Sequence, residues 1–387
     1  MGYRSFEEIN EKIRSKKAVV VTAEEIIEIV DEKGVEGAFR DVDVVTCGTF
    51  SPMCSSGAFL NFGHSDPPIR MSRVWLNDVP ACAGLAAVDA YIGATELSET
   101  AGMEYGGAHV IEDLIAGRKV RLKATSYGTD CYPRRALEAW ITKDSINEAY
   151  MFNPRNCYQN YGAATNSSDR TIYTYMGTLL PHFGNVNYCT AGELSPLIND
   201  PFYRTIGLGS RIFLGGAQGY VAWQGTQNNP SQPRAENGVP IGGAACLALI
   251  GDLKQMDPRY IRAARFEKYG VTMFVGVGTA IPLLDEEMVR FVAVQNRDIK
   301  TKVFDYSVGR RSKPALAEVS YEELRSGSVQ IGSRTIPTAP LSSLKVAREI
   351  AQTLKGWIAR GEFLLQQPVA ALPLEGSPTT LDNCEGE

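Results

Sequence analysis

A cysteine follows a short apolar run in Val42-Asp43-Val44-Val45-Thr46-Cys47-Gly48-Thr49-Phe50-Ser51-Pro52-Met53-Cys54-Ser55-Ser56-Gly57, and another sits in the polar turn Gly128-Thr129-Asp130-Cys131-Tyr132-Pro133-Arg134-Arg135. Sulfur is nucleophilic as the thiolate, which backbone N–H groups and nearby cations favour. Both settings predict approachable sulfur, so Cys54 and Cys131 are the candidate reactive residues of an enzyme that handles sulfur. Ser55 and Ser56 are small and supply hydrogen-bond donors beside Cys54. Arg134 and Arg135 could stabilise a thiolate at Cys131 and hold a substrate carboxylate, while Asp130 could move protons or position an amine. His64, in Asn61-Phe62-Gly63-His64-Ser65-Asp66-Pro67-Pro68, is one of three histidines. Imidazole titrates near neutrality and could act as acid or base; His109 and His182 carry less weight.

Each of these residues also has a plain structural reading. A free cysteine is commonly an inert buried thiol, and Cys47, nearer the strand, is expected to pack, with a resolving thiol as its alternative. His64 could be a loop histidine. Metal spacing is poor: no C-x-x-C, no His-x-x-x-His and no ferredoxin-type run occurs. An iron–sulfur cluster would have to gather dispersed residues such as Cys47, Cys54, Cys131, Cys157 and Cys189. Gly276-Val277-Gly278 and Gly207-Leu208-Gly209 lack the third glycine of a dinucleotide fingerprint, and there is no Walker loop. Asn153-Pro154-Arg155-Asn156 and Gly225-Thr226-Gln227-Asn228-Asn229 offer amides to a small polar substrate, or serve as ordinary turns.

The elements that must position these side chains are partly readable. At 387 residues and 44% hydrophobic content the chain can build a full core. A net charge of −5, with Lys and Arg dispersed, argues against a nucleic-acid footprint. No apolar run approaches the roughly 20 residues that span a bilayer, and the acidic start lacks a secretory core. A cytoplasmic protein with eight cysteines held as thiols is expected.

Capping boxes at Ser5/Glu8 and Thr22/Glu25 predict two short helices, the second ending at Gly34. The segment from Gly57 to Pro80 reads as a long ordered loop. Helices are predicted at Gly84–Ile92 and His109–Ala116, and a strand at Lys119–Ala124. Between Tyr158 and Gln227, short β-prone runs such as Thr171–Tyr175 and Arg211–Leu214 suggest antiparallel strands. Beyond, Asp257-Pro258 predicts a helix to Gly270, followed by strand 271–277, helix 285–294 and strand 301–308, a parallel β-α-β alternation. A last amphipathic helix spans about Ser342–Ala359. The fold class is therefore α/β, with a mixed α+β arrangement as its variant. Residues 1–365 form the catalytic region, with a candidate subdivision near 228–240, and 366–387 a disordered tail.

The segments Met53-Cys54-Ser55-Ser56-Gly57-Ala58, Asn61-Phe62-Gly63-His64-Ser65-Asp66-Pro67-Pro68, Thr129-Asp130-Cys131-Tyr132-Pro133-Arg134, Asn153-Pro154-Arg155-Asn156, Ile172-Tyr173-Thr174-Tyr175-Met176-Gly177 and Ile212-Phe213-Leu214-Gly215-Gly216 resemble the homocysteine biosynthesis enzyme family of methanogenic archaea and anaerobic bacteria. The likeness runs from Phe6 to about Phe363. It implies an L-aspartate semialdehyde sulfurtransferase, which replaces the aldehyde oxygen by sulfide-derived sulfur and uses two electrons to give homocysteine. It further implies that Cys54 and Cys131 are the functional pair, with the persulfide on Cys131, and that a ferredoxin-like iron–sulfur protein donates electrons. Longer family members carry paired CBS domains after this region; here only a short tail follows, so no CBS domains are expected. The alternatives are a cysteine-ligated iron–sulfur cluster that carries the sulfide, and a non-catalytic sulfur-carrier subunit. The chain acts alone or as a homo-oligomer. The two sulfurs are expected to share one accessible pocket beside cationic groups.

Overall fold

A computed structural model describes residues 2–381. It is a mixed α/β fold built around a ten-stranded sheet. Nine of its strands lie in the spatial order Val20–Thr22, Val44–Pro52, Gly270–Pro282, Arg211–Leu214, Ala217–Gln224, Leu247–Asp252, Glu148–Asn156, Gly57–Asn61, Asp89–Gly93, and the tenth, Ile261–Phe266, pairs with Gly270–Pro282. The long Gly270–Pro282 strand is buried on both faces. In the alternation a strand imposes, it sends Met273, Val275 and Val277 into one core and Phe274 and Ala280 towards the other.

The first core is closed by the Gly107–Ile115 helix and a four-stranded sheet ordered Ala136–Ile141, Val120–Thr125, Arg73–Leu76, Val79–Ala81. Helices Phe6–Arg14, Glu25–Asp41, Glu286–Val292 and Leu344–Ala359 cover the second. The last of these buries Ala347, Ile350, Ala351, Leu354 and Ile358, the stripe of a 3.6-residue period. It lies so close to the sheet that a Cβ at Gly48 would stand 2.3 Å from the Ala347 carbonyl oxygen. A six-stranded sheet, including Ala163–Thr165, Val186–Tyr188 and Lys300–Asp305, carries a third core.

Both capping boxes form: Glu8 N donates to Ser5 Oγ and Glu25 N to Thr22 Oγ1, with the carboxylates answering the reciprocal amides. The second helix breaks at Gly34, as expected: that residue adopts φ +69°, as glycine can, and a further helical stretch follows it to Asp41. The expected loop after Gly57 contains three strands, because tertiary pairing partners organise residues whose local pattern is silent. Asp89–Gly93 is a strand where a helix was expected. Asp257-Pro258 opens a turn, closed by Tyr260 N donating to Asp257 O, that leads into a hairpin and not a helix. The β-α-β expectation also fails: Gly270–Pro282 and Lys300–Asp305 belong to different sheets.

Residues 228–240 form part of the connection between two strands paired in one sheet, Ala217–Gln224 and Leu247–Asp252. The end of the chain, expected to be disordered from Gln366, is laid against the body. Val369 N donates to Leu208 O, Leu208 N to Ala370 O and Gly376 N to Ser231 Oγ, and Leu372 is buried in the first core. Backbone pairing and one well-placed leucine tie down a stretch whose composition reads as loose. Residues 382–387, the rest of that tail, lie outside the described residues. Among the described residues no helix is long and apolar enough to cross a membrane.

Candidate active site

The Val44–Pro52 strand ends at Pro52, and the chain reverses through Met53–Ser56 into the Gly57–Asn61 strand. Met53 N donates to Met273 O, while Ser56 N and Oγ both donate to Met53 O, so the reversal is tight. Asn153 pins it from the next strand: its Nδ2 donates to Ser56 Oγ (2.7 Å), and its Oδ1 accepts from Ser55 Oγ (3.3 Å). Gly57 is required, since a Cβ there would lie 2.1 Å from the Tyr91 hydroxyl. Cys54 is thereby held at the tip of a rigid turn, half-buried.

Its sulfur faces a cavity of about 810 Å³, within the range of small-molecule sites. Thr272 Oγ1 is 3.2 Å from Cys54 Sγ, and the Tyr269 hydroxyl donates to it at 3.8 Å. Burial, then the neighbouring Cys54, pushes the Tyr269 phenol up, so it stays protonated as a donor. Tyr158, Tyr161 and Tyr175 form an aromatic wall. Tyr161 donates to Tyr175, which bonds Tyr306. Burial raises Tyr158, Tyr161 and Tyr306 as well.

Two more cysteines line the cavity, Cys157 and Cys189. Burial, and next Cys54, pushes the Cys189 thiol up to about 12, and burial also lifts Cys157. Both are poor nucleophiles near neutrality, because a thiol must ionise to react. Cys47 is fully buried in the helix-covered core, as a packing residue would be.

The cavity cations are Arg155 and Arg311. Arg155 donates to Thr226 Oγ1 (3.2 Å) and Gln227 Oε1 (3.0 Å), and among the described residues neither arginine forms an ion pair. An oriented guanidinium with neutral partners is suited to a carboxylate. The amide-rich segments around Arg155 and Gln227 are visible in the sequence, where Arg134 and Arg135 are the arginines expected to hold the carboxylate.

Cys131 stands elsewhere. It is exposed in a hairpin turn closed by Thr129 N donating to Tyr132 O and Tyr132 N to Thr129 O and Oγ1, with Gly128 left-handed at φ +78°. Arg134 donates to the Asp66 and Pro67 carbonyl oxygens (2.5 and 2.9 Å), which binds the turn to the 64–69 segment. The His64 ring stacks on Tyr132 at 6.0 Å between centroids. His64, Asp130, Arg134 and Arg135 therefore belong to the Cys131 turn, and none lines the cavity of Cys54. Ser55 lines it; Ser56 is spent on the turn and is 1% exposed.

The expected convergence of the two sulfurs does not occur within one chain. Ala94 N bonds Ser56 O at one end of the ladder between Gly57–Asn61 and Asp89–Gly93, and Phe62 N bonds Val88 O at the other. Cys54 adjoins the first end and the Cys131 turn lies beyond the second, so six strand steps, roughly 20 Å, intervene. Of the cysteines considered as cluster ligands, Cys54, Cys157 and Cys189 line one cavity, while Cys47 and Cys131 do not. Among the described residues no group of three or more His, Cys, Asp or Glu side chains is placed to hold a metal, and a cluster needs about four such ligands.

A tethered cysteine with two hydroxyl groups at its sulfur, in a cavity carrying guanidinium groups without ion-pair partners, is an arrangement suited to thiol-dependent chemistry. Residues 18–365 match the family described as homocysteine biosynthesis enzyme, sulfur-incorporation, and the chain belongs to that family. It is 53% identical over 381 residues to a Methanosarcina acetivorans protein named L-aspartate semialdehyde sulfurtransferase, covering 98% of this chain and 74% of that one. A Methanocaldococcus jannaschii protein of the same name is 51% identical over 387 residues, covering 96% and 74%. An uncharacterized protein of Methanothermobacter thermautotrophicus is 32% identical over 337 residues, covering 84% and 73%. No solved structure matches the chain.

Proposed function

We propose that this chain is an L-aspartate semialdehyde sulfurtransferase that makes homocysteine. Family membership and relatives of that name at 51% and 53% identity support it. The structural observation that carries the reading is Cys54, held by Thr272 and Tyr269 in a cavity that also holds Arg155. The substrate is a short amino acid with a carboxylate for Arg155, and its aldehyde would reach the sulfur chemistry beside Cys54.

The net reaction is aldehyde, hydrogen sulfide, two electrons and two protons giving thiol and water. In the proposed cycle sulfide attacks the Cys131 sulfur of a Cys54–Cys131 disulfide. The Cys54 thiolate leaves, and Cys131 keeps a persulfide. The terminal persulfide sulfur adds to the aldehyde carbon while the carbonyl oxygen takes a proton, which the Tyr269 hydroxyl, a donor to Cys54 Sγ at 3.8 Å, would supply. Cys54 thiolate then attacks the Cys131 sulfur, which re-forms the disulfide and expels a hydroxythiolate. Loss of water gives the thioaldehyde, and two electrons with two protons reduce it to the thiol. The electrons come from a ferredoxin-like iron–sulfur protein, and the setting is cytoplasmic. His64, stacked beside the Cys131 turn, is positioned to shuttle protons there.

The test is anaerobic assay of the purified chain with L-aspartate semialdehyde, sulfide and a low-potential reductant. Homocysteine should appear with the wild type and vanish for Cys54→Ser and for Cys131→Ser. Undiminished formation by either variant would remove the cysteine pair from the mechanism.

A further inference from the structure

We propose that the active site is completed by a second copy of this chain, whose Cys131 hairpin enters the cavity that holds Cys54. This rests on the proposed use of both sulfurs in one cycle. A disulfide requires Cα atoms about 4.4–6.8 Å apart, whereas the two cysteines of one chain flank opposite ends of a ladder roughly 20 Å long. That ladder is no hinge. Ala58, Leu60, Ala90 and Ile92 on its two strands are 0–1% exposed within the first core. Bringing the ends together would require dismantling the centre of the molecule. A second copy supplies the missing sulfur with both cores intact.

The two surfaces have complementary characters. The Cys131 hairpin carries Tyr127, 58% exposed, and the strand after it carries Trp140, 64% exposed. Ala136–Ile141 is an edge strand of its sheet. Exposed aromatic anchors beside a functional cysteine are what a buried contact uses. The cavity offers the half-exposed ring of Tyr175 and the exposed cation Arg311, and the incoming hairpin brings the exposed carboxylate of Asp130 next to Cys131. Arg134, held against the carbonyl oxygens of its own chain, and the exposed Arg135 keep their charge, so Asp130 is the hairpin group that would meet the cavity cations. A two-fold dimer would exchange the hairpins reciprocally and form two equal sites.

The experiment is complementation. Cys54→Ser and Cys131→Ser chains, carrying different affinity tags, are produced separately and together, and homocysteine formation is measured anaerobically. Each variant alone should be inactive. In a two-fold dimer half of the assemblies are mixed and each has one complete site, so the mixture should recover about one quarter of wild-type activity per chain. Two inactive variants that stay inactive together would overturn the shared site and leave the cysteine-pair mechanism standing. Activity of either variant alone would remove the pair itself. A second reading uses wild-type protein made by mixing isotopically heavy and light chains, oxidised mildly and digested. With the subunits first shown to mix by intact mass, heavy–light links between Cys54 and Cys131 in about half of the linked peptides support the exchange; the absence of any heavy–light link overturns it.

Discussion

Cys54 is distinguished from the other cavity thiols by its surroundings. Cys157 and Cys189 are raised by burial, while Cys54 sits half-exposed with two hydroxyl groups at its sulfur. Alkylation by iodoacetamide at neutral pH, followed by peptide mapping, should therefore modify Cys131, Cys82 and Cys54 first and leave Cys47, Cys157 and Cys189 largely protected. Arg155 is oriented by Thr226 and Gln227 and is the proposed carboxylate anchor, so Arg155→Gln should raise KM for the aldehyde about tenfold or more, the usual worth of a charge-assisted hydrogen bond. Tyr269→Phe should lower kcat by about a hundredfold, with a much smaller effect on KM, as loss of a proton donor does. Cys54 and Cys131, the proposed reactive pair, stand out because small and charged neighbours surround them in the sequence. Arg155 was not assigned this role, because a guanidinium reveals its task only when its neighbours prove neutral and a cavity opens beside it.

At the scale of elements, local chemistry spoke clearly where a short-range rule decides. Ser5, Thr22 and the apolar stripe of the last helix lie within one or two turns of what they control. Hairpins and sheet membership were opaque, since Ile261–Phe266 and Asp89–Gly93 become strands through partners that nothing local specifies. Proline after Asp257 fits a turn as well as a helix start, and the pairing with Gly270–Pro282 decided between them. The close approach of the Leu344–Ala359 helix to the Val44–Pro52 strand provides a test. Gly48→Ala should destabilise the protein by about 1–3 kcal/mol or more, read as a lowered denaturant midpoint, because the added methyl meets backbone. Leu354→Ala, a fully buried truncation on the same helix, should cost about 2–5 kcal/mol.

For the whole molecule, the α/β class was readable, but the division of strands among sheets was not, and that division separates Cys54 from Cys131. The two cysteine turns that stand out in the sequence thus lie toward opposite ends of one strand ladder. Stability should also fall in acid through Asp285. Its hydrogen bond to Arg204 comes first in holding its carboxyl below the ordinary range, against a smaller cost of burial, and it caps the Glu286–Val292 helix through Met288 N. A depressed carboxyl contributes above its unfolded value and loses that contribution as pH falls through the folded one. Asp285→Asn should therefore be less stable than wild type at neutral pH, and the gap should narrow below about pH 4.

The phenols around the cavity have an opposite counterpart at the alkaline extreme. Tyr158, Tyr161, Tyr269 and Tyr306 keep their protons in the native state well past the point, about pH 10, where a free tyrosine gives them up. Folding must then weaken steadily once that point is crossed, because the unfolded chain ionises first. Ultraviolet titration of the phenolate band should show these rings silent until the chain collapses, and then releasing their protons in a single cooperative burst.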